Sequence, residues 1–173
     1  ILTILLSWAS HLSGYPMPAE MPEVRFEQHE FFVENVCGSK ECDVVGWYND
    51  ADIVYIDQKY RNIEDGFASG LVVHELTHYL QHKSEIYNSN SCEDSVQRER
   101  EAYAVQNRYS IEILGNVSLL LPGQTTCNYP NASMNSRGQE PVTHPRYLSW
   151  WYPRSKAASR PRSPDTPGTS RVL

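Results

Sequence analysis

Residues 69–84 read SGLVVHELTHYLQHKS, and three of their histidines, His74, His78 and His82, stand four apart in an otherwise apolar run. On an α-helix, residues four apart differ by about 40° in direction and about 6 Å in height. His74 and His78 can therefore each aim one ring nitrogen at a common metal ion. Glu75 lies about 100° round the helix from His74, so it faces the side of such an ion and can act as a base on a water held there. His82 is about 12 Å along the axis from His74, too far for metal–nitrogen bonds of about 2 Å. It is expected as an exposed or supporting residue near the helix end, where a partly positive imidazole is favoured. Leu71, Val72, Val73, Leu76 and Leu80 make this helix a buried one. Buried imidazoles and a buried carboxylate are costly without a partner, and a bound metal is the partner this pattern implies.

A catalytic zinc needs a third protein ligand and an open position. Gln81 and Ser84 stand where the extended metzincin motif requires Gly and His, which excludes that class. The other source is an acid on a second helix. The stretch CEDSVQREREAY offers Glu93, Asp94, Glu99 and Glu101. Glu93 and Asp94 suit the first turn, where acids complement the helix dipole. The apolar stripe of that helix runs through Ala102, Val105, Tyr109 and Ile113, and Glu99 and Glu101 flank it almost equally on opposite sides. Periodicity leaves both open.

The blocks VVHELTHYLQ and EREAYAVQ resemble the gluzincin zinc metallopeptidases, whose third ligand is a Glu on a helix following the H-E-x-x-H helix. Minimal gluzincins and small bacterial putative-peptidase domains are similar over residues 45–110. In the thermolysin-type pattern that Glu directly precedes Ala, so the resemblance implies Glu101, followed by Ala102. It implies one zinc per chain on His74, His78 and Glu101, Glu75 as general base, and a peptide or protein substrate. The implied fold is α+β, a minimal zincin-like domain. In it ADIVYID (51–57) would be the edge strand bordering the cleft, able to hold a peptide by strand addition. The chain departs from the thermolysin pattern at Val105, where an Asp would orient a histidine. Its transition-state partner is open among Tyr103, Tyr109 and His144. The competing functions are a zinc-stabilised binding module without catalysis, and a cysteine-stapled binding protein whose histidines are incidental.

The elements that must position these residues are legible in outline. Ile1, Leu5, Trp8 and Leu12 fall on one helical stripe with Leu2, Leu6 and Ala9 beside it, closed by SGYP, which reads as a first domain helix rather than the remnant of a signal-peptide segment. An extended segment lies around Val24–Phe26. DVVGWYND and ADIVYID read as a hairpin turned at YNDAD. The metal-bearing helix can start near Asp65, and Ser91 with Asp94 makes a capping-box-like start for the next.

The 173 residues suffice for one domain with a single core, assigned to 1–153. Residues 154–173, rich in Pro, Ser and Arg, read as a disordered basic tail. That tail carries +4 against a net charge of −6, so the body is strongly acidic, which argues against nucleic acid as a partner. No apolar run is long enough for a stable membrane span. The four cysteines suggest pairs Cys37–Cys42 and Cys92–Cys127, and hence a periplasmic or secreted protein. Asn116 and Asn131 match glycosylation sequons, which matter only where the source glycosylates.

Overall fold

The computed structural model describes residues 1–87 and 91–116. Among them the chain is α+β, with four α-helices and a small mixed sheet: α1 (Leu2–Ser13), β1 (Glu23–Glu27), α2 (His29–Asn35), β2 (Gly46–Tyr48), β3 (Ile53–Asp57), α3 (Gly66–Lys83) and α4 (Cys92–Arg108). The strand order is β1-β3-β2, with β1 parallel and β2 antiparallel to β3. The hairpin expected from DVVGWYND and ADIVYID is thus present. The tail, His144, Cys127 and Asn131 lie outside the described residues.

One expectation fails here. Residues 51–57 do not border a cleft, because β3 is the middle strand. Val54 and Ile56 point into the core and are fully buried, while Tyr55 on the opposite face is covered by Phe31 and Trp47. A strand apolar on both faces and paired on both sides has no free edge. The outer strand on this side is β2, which packs against α3. The turn between them is held by Asn49, whose Oδ1 accepts from the Ile53 N–H at 3.1 Å. Asp50 and Asp52 take positive φ in that turn, a backbone region that Asp tolerates better than most residues.

Helix α3 is the axis of the domain. Asp65 caps its start, accepting from the Phe67 and Ala68 N–H groups at 2.9 and 3.1 Å. Residues 68–77 are buried on every side, which explains why apolar residues surround the histidines without a polar face. Sheet, α1 and α4 enclose the helix. Helix α1 contributes Leu5, Leu6, Ala9 and Leu12 to the core and ends at Gly14, whose φ of 80° is the left-handed cap that glycine favours. Ser91 caps α4 by accepting from the Asp94 N–H at 3.1 Å.

Helix α2, unforeseen in the sequence, covers the far face of the sheet with Phe31 and Phe32. Cys37 and Cys42 form a disulfide just after it. His29 ties that loop to the sheet, with Nδ1 2.9 Å from the Asp57 carboxylate and Nε2 2.9 Å from the Cys42 carbonyl. Cys92 is also disulfide-bonded. The bridge at residues 37 and 42 is compatible with an oxidising compartment. Among the described residues no helix is long and apolar enough to cross a membrane.

Candidate metal centre

The two histidines one turn apart on α3 bring their Nε2 atoms to 3.2 Å from each other. Glu99, reaching across from α4, completes a triangle: its Oε2 is 3.5 Å from His74 Nε2 and its Oε1 is 3.4 Å from His78 Nε2. Four ligand atoms bonded tetrahedrally at about 2 Å from an ion lie about 3.3 Å from one another, so these separations fit a shared metal. His74, His78 and Glu99 could hold a metal ion, with donor atoms all within 4.8 Å of one another. Two imidazoles and one carboxylate are a donor set used by catalytic zinc, with one position left open.

The far sides of the rings are also engaged. His78 Nδ1 lies 2.9 Å from Gln81 Oε1, and His74 Nδ1 lies 3.1 Å from Gln106 Oε1. Each ring donates outward to an amide oxygen, which leaves its Nε2 as the inward lone pair. Gln81 and Gln106 are both buried. Neither was given a supporting role from the sequence, although Gln81 closes the buried run of α3 and Gln106 lies two turns beyond Glu99 on one helix face.

Electrostatically the cluster attracts cations. Burial alone would lower the His78 pKa, but the charge and hydrogen bond of Glu99, with the charge of Glu75, outweigh it and push it up to about 9. Burial would raise the Glu99 carboxyl, yet the two histidines hold it well below the usual carboxylate range.

Glu75 lies beside this cluster and not within it. It is 5 % exposed, and burial pushes its carboxyl up, with the histidine charges acting against that. Its carboxylate also accepts from the Tyr48 backbone N–H on β2. Gly46 makes room for it: a Cβ there would collide with the Glu75 carboxylate. We expect Gly46→Ala to displace that carboxylate while His74, His78 and Glu99 stay in place. Metal titration checks this: affinity near the parent's is the expected result.

Glu101, the implied third ligand, is not part of the group His74, His78 and Glu99. It points to the other flank of α4, where Oε2 accepts from the Tyr15 hydroxyl at 2.7 Å and from Gln81 Nε2 at 3.1 Å. Helix α4 is packed on both flanks, one against the histidines and one against the chain after α1, and Glu99 faces the histidines. His82 is exposed and hydrogen-bonds the Tyr48 hydroxyl, away from the cluster, as expected. Of the transition-state candidates, Tyr103 packs edge-on against the His74 ring at 4.5 Å, whereas Tyr109 is part of the core.

Compared with known proteins, the chain matches no family model, no curated protein and no solved structure.

Proposed function

We propose that this protein is a zinc-dependent peptidase of gluzincin type, with zinc held by His74, His78 and Glu99. The observation that carries the proposal is the juxtaposition of that donor set with Glu75, a buried carboxylate placed between the cluster and the outer strand β2. A metal serving only as a structural staple has no need of a further buried acid beside it. The zincin-like arrangement is supported by the order of parts: a histidine-bearing helix, a glutamate on the next helix, and a strand beside the first.

Zinc bound there supplies Lewis acidity, acidifying water toward a pKa of about 7 and polarising a carbonyl. Glu75 takes the proton of the attacking water and delivers it to the leaving amine. The outer strand β2, beside which Glu75 lies, is the strand along which a peptide would be held. Such a substrate is a peptide or protein, met in a periplasmic or extracellular setting that the disulfide suits.

Incubation with a broad peptide library tests this. We expect cleavage that a chelator abolishes and added zinc restores. Zinc binding without cleavage would leave a zinc-stabilised binding module instead.

A further inference from the structure

Glu101 is not at the cluster, yet it is bonded to the residue that orients one of its histidines. Gln81 is 1 % exposed and uses its whole amide. Its Nε2 donates to the Arg98 carbonyl at 3.0 Å and to Glu101 Oε2 at 3.1 Å, and its Oε1 faces His78 Nδ1 at 2.9 Å. A backbone carbonyl and a carboxylate both only accept, so an amide turned the other way would set its oxygen against two acceptors. The amide therefore has one orientation. Its oxygen must accept, so His78 must donate from Nδ1, and Nε2 is left as the inward atom 3.2 Å from His74 Nε2.

Glu101 is held in turn by the Tyr15 hydroxyl at 2.7 Å and by Gln97 Nε2 at 3.3 Å. Tyr15 follows the Gly14 cap of α1. The chain of contacts thus runs from the end of α1 through α4 to α3, and it ends on a candidate ligand.

We propose that Gln81 and Glu101 are positioning residues for the metal centre: Glu101, anchored by Tyr15, fixes the Gln81 amide, and Gln81 fixes His78 with Nε2 toward the metal. This rests on the metal-binding part of the proposed function and extends it to residues that touch neither metal nor substrate. Breaking such outer contacts costs about 10–100-fold in metal affinity.

The test uses Gln81→Met, which keeps length and removes both amide functions, and Glu101→Gln, which keeps shape and removes the charge. Zinc affinity is read by competition with a chromophoric chelator. Gln81→Met is expected to weaken zinc by about 10–100-fold, and Glu101→Gln to weaken it less, in the same direction. A second readout needs no metal. In nitrogen-15-labelled protein without zinc, the His78 Nδ1–H should give a slowly exchanging ring signal, which Gln81→Met abolishes while the remaining spectrum stays dispersed. Parent-like affinity in both variants would overturn the proposal, as would a His78 Nδ1–H that exchanges freely in the parent. If Gln81→Met does not fold, Glu101→Gln and the parent signal still decide. A parent that shows the protected signal but takes up no zinc refutes the metal centre and leaves the hydrogen-bonded chain standing.

Discussion

Glu99→Gln is expected to lose the metal and Glu101→Gln to keep it. Glu99 supplies the one anionic donor of the cluster, with oxygens 3.5 and 3.4 Å from the two histidine Nε2 atoms. Without that charge, two neutral imidazoles remain to hold a divalent cation. Affinity should fall by more than the about 10–100-fold that outer partners contribute. Glu101, on the opposite flank, acts through Gln81 alone. Equilibrium dialysis of both variants against zinc checks the order. The reverse order would mean that α4 is rotated in solution relative to the arrangement described above.

Glu75→Gln carries the second large effect. The substitution keeps size, and an amide oxygen can still accept from the Tyr48 N–H that the carboxylate now uses. The fold and the histidine–glutamate cluster are therefore expected to survive. What disappears is a group able to take a proton. General-base loss costs about 10²–10⁴ in rate, so turnover should drop by that factor with zinc still bound. Loss of zinc would make Glu75 a ligand or a structural residue. Undiminished cleavage would remove it from the chemistry.

The parts of the site that were legible in the sequence are those set by local rules. The caps at Asp65 and Ser91 hold helix starts where short-range side-chain chemistry puts them. The four-residue spacing of His74 and His78 sufficed to predict that one nitrogen of each would converge. The identity of the third candidate ligand depends on how α4 is turned against α3, and that is a tertiary fact. Ala102, which directly follows Glu101, is fully buried between two acids that are both partly covered. Symmetric burial of the flanks gives a sequence pattern that cannot separate Glu99 from Glu101, and the Glu–Ala resemblance pointed to the flank that faces Tyr15 rather than the histidines.

The sheet shows the same division. Hairpin β2–β3 is written in its β-branched and aromatic residues and its Asn–Asp turn. Which of its strands is outermost depends on β1, whose five residues pair with β3 from a distant part of the chain. Two-sided burial of Val54, Tyr55 and Ile56 was the available sign that β3 is central. Helix α2 is only seven residues long, and its Phe pair fits a strand as well as a helix, so local propensity did not identify it.

The measurement that bears most directly on this account is the zinc content of the purified protein. Metal analysis after equilibration with zinc and removal of the free ion is predicted to find about one zinc per chain, since three protein ligands and an open position make one tetrahedral site. Folded protein that retains no transition metal under those conditions would contradict the account at its centre.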